Sequence, residues 1–152
     1  MQRPPNFFSL PADIVRAILW LAIARAQLRR LKRSRILDPN QIVSAQELPG
    51  RGSVDPLAAQ RIAKRIEYVV PRVAARVAWR SDCLVQALAG HSWLSAYGLT
   101  SEIQIGAAWS REKEFMAHAW LVHDGRVLLG GNVSGYSQLV SPKTEDVEGQ
   151  LL

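Results

Sequence analysis

A chain of 152 residues has the length of one domain and can bury a sizeable core, and its 48% hydrophobic and 21% charged residues place it with folded globular chains. The single cysteine excludes an internal disulfide, and the opening residues, with Pro4 and Pro5 and no apolar run, do not read as a secretory signal, so the expected location is the cytoplasm. Charge is unevenly spread: residues 1–80 hold 15 Lys and Arg against 5 Asp and Glu, whereas residues 81–152 hold 4 against 8. A basic half invites nucleic acid, an anionic membrane surface or an acidic protein or peptide. No finger, homeodomain or RNP-type signature accompanies the charge, so no nucleic acid is expected, and a solvated basic helical surface is the simpler reading.

In chain order, residues 11–33 read as one amphipathic helix, with Pro11 and Asp13 in its first turn. Its centre, Ala17 to Ala24, is an unbroken apolar run, far short of the roughly 20 residues that cross a bilayer. Its end is basic, through Arg25, Arg29, Arg30, Lys32, Arg33 and Arg35. The expectation is an apolar stripe packed on the body, with the cations complementing the helix C-terminus; contact with a membrane surface is the less favoured reading. Residues 36–54, with Pro39, Pro49, Gly50 and Gly52, read as a linker. Asp55-Pro56 then supplies an N-cap and a proline at the first helical position, and Leu57, Ile62, Ile66, Val69 and Val70 follow at helical spacing. Pro71 is expected to kink or divide this helix, with Val73, Ala74 and Val77 carrying the stripe onward.

Ser81 or Asp82 should cap a helix from about Cys83 to Tyr97, ended by Gly98. From Thr100 the period changes to two, with Ile103 and Ile105 alternating with polar neighbours. Phe115–His123 and Arg126–Leu129 read as strands joined by Asp124-Gly125, a strong hairpin signal. The tail beyond Leu139 reads as polar and mobile. Helices first and an antiparallel sheet afterwards argue an α+β fold. The division is a basic helical segment with its linker (1–50), a core (51–140) and a tail (141–152), one domain overall.

Three residue types in this order carry the chemistry. Cys83 lies where a helix begins, and unpaired N–H groups and the positive end of the dipole favour a thiolate there. Against this stands the fact that a lone free cysteine is commonly inert core. His118 follows 35 residues later in Phe115-Met116-Ala117-His118-Ala119-Trp120, where alternation puts it on one strand face with Met116, Trp120 and Val122. An imidazole can take the thiol's proton and return it to a leaving amine. His123, beside the turn, reads as exposed, and His91 as a helix-surface residue. Asn132, 14 residues beyond His118, could orient the ring through its amide oxygen. A two-residue turn pairs His123 with Arg126 and therefore His118 with Gly131, leaving Asn132 on the wrong face. A one-residue bulge, for which Gly130-Gly131 is a natural place, corrects this. One cysteine and three scattered histidines show no ligand-pair spacing, so no metal is expected, and no phosphate loop or dinucleotide fingerprint points to a cofactor.

The runs Cys83-Leu84-Val85-Gln86-Ala87-Leu88-Ala89, Leu99–Gly106, Ala117-His118-Ala119-Trp120-Leu121 and Gly125-Arg126-Val127 resemble lasso-peptide leader peptidases, transglutaminase-like cysteine proteases of peptide natural-product clusters. The resemblance covers about residues 58–139. It implies a transglutaminase-like or papain-like core with helices on a small antiparallel sheet, a catalytic Cys83 and a catalytic His118. The family's third residue is usually Asp in the segment after the Gly-Arg turn; here that segment reads Gly130-Gly131-Asn132, a carboxamide in place of the carboxylate. The implied activity is removal of the leader from a ribosomally made precursor. The implied partners are the precursor leader peptide, a separate leader-recognition protein and an ATP-dependent macrolactam cyclase, with no cofactor. A transglutaminase-like acyltransferase and a non-catalytic module binding an acidic peptide or protein are the rival readings.

Overall fold

The computed structural model describes residues 10–33, 54–110 and 112–140. Within them run three helices, α1 (Leu10–Arg33), α2 (Pro56–Ala74) and α3 (Cys83–Ala96), and then four strands, β1 (Glu102–Trp109), β2 (Phe115–His123), β3 (Arg126–Leu129) and β4 (Ser137–Val140). The strands form one antiparallel sheet in the order β3-β2-β1-β4. This is the α+β arrangement that the switch from helical to two-residue periodicity predicts. The linker expected at 36–54 lies, apart from Val54, outside the described residues, as does the tail from residue 141.

Local chemistry explains the element ends. Asp55 Oδ2 accepts a hydrogen bond from the Ala58 N–H at 3.1 Å, and Pro56 occupies the first turn of α2, where a missing N–H is no loss. Pro71 does not divide α2 into two helices; the helix passes through it and stops at Ala74, one turn later. Val77 therefore lies beyond the helix, although it still packs against the core. Asp82 caps α3 by accepting from the Val85 N–H at 3.4 Å. At the far end Gly98, with φ 73°, reverses the chain, and the Leu99 N–H returns to the Leu94 carbonyl at 3.1 Å. Asp124 and Gly125 both take positive φ, 48° and 70°, as a tight hairpin turn demands, and His123 pairs with Arg126 as the two-residue turn requires. The strand β4 was not legible: Ser137-Gln138-Leu139-Val140 has no apolar alternation, and its order comes from pairing with β1.

The core lies between the helices and one face of the sheet. Leu21 of α1, Ile66 and Val70 of α2, Leu88 and Leu94 of α3, and Ile103 and Leu121 of the sheet are all buried in it. Its tightest seat is Gly90. A Cβ there would stand 2.5 Å from Leu129 Cδ1 and 2.8 Å from Leu121 Cδ2, so α3 lies almost directly on the β2–β3 pair Leu121↔Leu129. Beyond the end of α3, the Thr100 carbonyl accepts a hydrogen bond from His123 Nδ1 at 2.7 Å, and His91 Nδ1 meets Ser101 Oγ at 2.9 Å. Both histidines are buried, not exposed as the sequence suggested, because the α3–β1 connection folds back over them and satisfies a ring nitrogen of each.

The helix α1 belongs to the same core. Ala17, Leu21 and Ala24 are buried on one stripe, and Asp13 is buried beside them with Arg16 and Arg65 each at 3.8 Å. The expected apolar stripe is packed on the body, yet a second apolar stripe of α1 remains exposed. No described helix is long and apolar enough to cross a membrane.

Gly90→Val forces a branched side chain into the seat of α3. Overpacking of this kind costs about 1–3 kcal/mol, and thermal unfolding should show a correspondingly lower midpoint than wild type. An unchanged midpoint would mean that α3 does not rest on Leu121 and Leu129 as described.

Candidate functional site

Cys83 is the first residue of α3, half-buried, and it is a free thiol. The segment leading to it is tied down: Gln86 Nε2 donates to the Ser81 carbonyl at 2.9 Å while Asp82 caps the helix. The N–H groups of the first turn thus stand at the thiol, the arrangement that stabilises an anion at a helix start.

The height of Cys83 on the sheet follows from the packing. Gly90 rests on Leu121, and the segment beyond α3 reaches His123, so helix and strand run in the same direction. From Gly90 back to Cys83 is seven residues of helix, a rise of about 10 Å. The same distance along β2 is about three residues, which leads from Leu121 to His118. Cys83 and His118 are related here by element length alone. No hydrogen bond joins them; by strand alternation His118 stands on the face opposite to Leu121, with Trp120. Strand β3 pairs only with Leu121–His123, so β2 is not paired by β3 at His118.

The ring of His118 is fixed by a backbone group. Its Nε2 lies 2.7 Å from the Gly130 carbonyl oxygen. A carbonyl can only accept, so Nε2 carries the proton and the neutral ring keeps its lone pair on Nδ1. Trp120 and Tyr136 flank the imidazole, with ring centroids at 6.1 and 5.0 Å. The indole is itself held, donating from Nε1 to Gln104 Oε1 at 2.7 Å, and the Gln104 amide donates to Glu102 at 2.9 Å.

Two glycines make this seat. Gly106 lies opposite His118 in the ladder, and a Cβ on it would stand 2.7 Å from the Trp120 ring. Gly130 has φ 116°, and its Cβ would stand 2.4 Å from Trp120 Cβ and 3.0 Å from Trp120 Cα. Only an unsubstituted residue lets this carbonyl come so close to β2.

Asn132 Oδ1 and His118 Nε2 have different hydrogen-bond partners. A one-residue bulge does occur between β2 and β3, but at Leu128: Val122 pairs with Val127 while Leu121 pairs with Leu129. That shift would carry Asn132 to the level of His118 if β3 continued. Instead β3 stops at Leu129, and the chain turns away through the positive φ values of Gly130 and Gly131. Asn132 is exposed, and its Oδ1 accepts from the Ser134 N–H at 3.0 Å and the Ser134 hydroxyl at 2.7 Å. The orienting contact expected of its amide is made by the Gly130 carbonyl. Sequence reasoning missed that carbonyl, as it missed Tyr136 and Gln104, because a backbone acceptor leaves no residue-type signal; the Gly130-Gly131 pair was the one visible trace. Among the described residues no group of three His, Cys, Asp or Glu side chains is placed to hold a metal ion.

A family model described as the transglutaminase-like superfamily matches residues 15–141. Neither curated proteins nor solved structures give a match.

Two substitutions separate the roles of the loop residues. Gly130→Ala should destabilise the fold by about 1–3 kcal/mol and remove the slowly exchanging His118 Nε2–H signal in proton–nitrogen NMR spectra. Asn132→Ala should keep that signal, since it removes only the local turn with Ser134. Loss of the signal in Asn132→Ala with retention in Gly130→Ala would reverse the assignment.

Proposed function

The chain belongs to the transglutaminase-like superfamily, whose members include cysteine proteases and acyltransferases, and on that premise we propose that it is a cysteine peptidase removing the leader from a ribosomally made lasso-peptide precursor. The observation that carries the reading is a free thiol at the N-terminus of α3 in a chain whose His118 ring is held at Nε2 by the Gly130 carbonyl, so that in the neutral ring Nδ1 is the acceptor. The resemblance of the Cys83 and His118 segments to leader peptidases supplies the substrate class.

In this mechanism His118 Nδ1 takes the proton of the Cys83 thiol, and the thiolate attacks the carbonyl carbon at the leader–core junction. The first-turn N–H groups of α3 hold the developing oxyanion. The scissile C–N bond breaks as His118 returns the proton to the departing core amine. Water, deprotonated by the same nitrogen, then cleaves the thioester and releases the leader carboxylate. The Gly130 carbonyl keeps Nε2 as donor and the ring in one orientation through the cycle, the office that the sequence assigned to Asn132. Thiol and imidazole are not hydrogen-bonded in this structure, so the reaction requires them to close on one another when substrate is seated, as catalytic contacts commonly do. The partners proposed are the precursor leader, a separate leader-recognition protein and the ATP-dependent cyclase that uses the freed amine.

The test is incubation of the neighbouring precursor peptide with the chain and its recognition protein, read by mass spectrometry. One cut between leader and core is expected, absent with Cys83→Ala. His118→Ala should slow it roughly 10²–10⁴-fold, the usual contribution of a positioned general base, and Asn132→Ala should leave it little changed. A leader-length product joined to added amine, in place of the free acid, would assign an acyltransferase instead. No Cys83-dependent product with native partner and precursor would overturn the catalytic reading.

A further inference from the structure

Helix α1 carries an exposed apolar stripe besides the one it buries. Val15 and Leu19 are each 56% exposed, Ile23 42%, Ile14 38% and Ile18 37%. Five large aliphatic side chains on one helix, spaced i, i+1, i+4, i+5 and i+9, make a continuous ridge and not scattered surface residues. A groove runs along each side. One, of about 300 Å³, is lined by Ile14, Ile18, Tyr68, Val73, Arg72 and Arg76. The other, of about 400 Å³, is lined by Leu19, Trp20, Ile23, Trp93, Tyr97 and Arg16. A ridge between two side-chain-sized grooves is the negative of a packed helix, and a flat bilayer would not fill it.

Charge identifies the occupant. Residues 10–33 and 54–80 contain 12 Lys and Arg but only 3 Asp and Glu. All three acids are committed: Asp13 to Arg16 and Arg65, Asp55 to the cap of α2, and Glu67 to Arg126. Arg72 and Arg76, one turn apart, face the first groove without a carboxylate partner among the described residues. Both guanidinium groups are already held in place. Arg72 donates to the Tyr68 carbonyl at 2.7 Å and lies 3.7 Å over the Tyr68 ring, and Arg76 donates to the Arg72 carbonyl at 2.8 Å. Fixed donors lose little entropy on binding a carboxylate.

We propose that the α1 ridge and its two grooves dock an amphipathic helix of a partner protein, with an apolar stripe for the ridge and acidic residues one turn apart for Arg72 and Arg76. A second copy of the same face brings like charges together. The chain's own residues 1–9 and 34–53 carry no surplus of acid. Residues 141–152 are acidic, but Pro142 and Gly149 leave six residues between them, a helical rise of about 9 Å against the roughly 13 Å from Ile14 to Ile23.

The test uses the full chain and two synthetic 18-residue amphipathic helices, identical in their leucine stripe but flanked by Glu or by Lys, with binding read by fluorescence anisotropy. The Glu peptide should bind at least tenfold more tightly than the Lys peptide. Arg72→Glu with Arg76→Glu should reverse that preference, Arg72→Gln with Arg76→Gln should abolish it, and Leu19→Glu should remove binding of both, with circular dichroism unchanged in each. Equal affinity for both peptides, or binding by neither, overturns the proposal. So does capture of phosphatidylserine vesicles without peptide binding, a wild-type dimer dissolved by Leu19→Glu, or at least tenfold tighter binding of the Glu peptide once residues 141–152 are deleted.

Discussion

The site depends on the seat of α3 on the sheet. With only hydrogen at Gly90, the helix settles onto Leu121 and Leu129 and runs alongside β2 in the same direction. Seven residues of helix and three of strand cover about the same distance, which relates Cys83 to the His118 segment of β2 by element length. A larger residue at position 90 would lift α3 away from the sheet and alter the relation of Cys83 to every residue of β2.

A second constraint acts on the imidazole. Trp120 is wedged between Gly106 and Gly130, pinned through its N–H by Gln104, and it lies near the His118 ring, as does Tyr136. The third contact, from the Gly130 carbonyl, selects the tautomer. Aromatic packing and a backbone acceptor thus do together what a carboxylate or carboxamide side chain does in related arrangements, holding one ring nitrogen so that the other is available. A neutral acceptor gives orientation without the full electrostatic support that a carboxylate lends to an imidazolium.

The helices have a different division of labour. Helix α1 is apolar on two sides, one buried through Ala17, Leu21 and Ala24, the other exposed through Ile14 to Ile23. The buried side sets the large Leu21 between the small Ala17 and Ala24, whereas five other large aliphatic residues point outward. Arg16, Arg72 and Arg76 of the basic first half line the grooves beside this outward face.

Much of this was legible in the sequence, for a local reason in each case. Asp55-Pro56 and Asp82 start helices because a short carboxylate accepts first-turn N–H groups, and Asp124-Gly125 turns a hairpin because both residues tolerate positive φ. Periodicity separated helices from strands, and the position of Cys83 at a helix start followed from its cap. Non-local facts were not legible. The burial of His91 and His123 depends on the path of the α3–β1 connection, β4 exists only through its pairing with β1, and Pro71 ends near a helix terminus where one lost bond matters little. The sequence by itself determined the α+β class, the hairpin register at His123 and Arg126, and the placement of a thiol at a helix start and an imidazole on a strand. Only the tertiary structure decided that the bulge falls at Leu128, that Asn132 turns to Ser134, and that a carbonyl holds His118, because backbone acceptors and close approaches are set by packing and carry no side-chain signature.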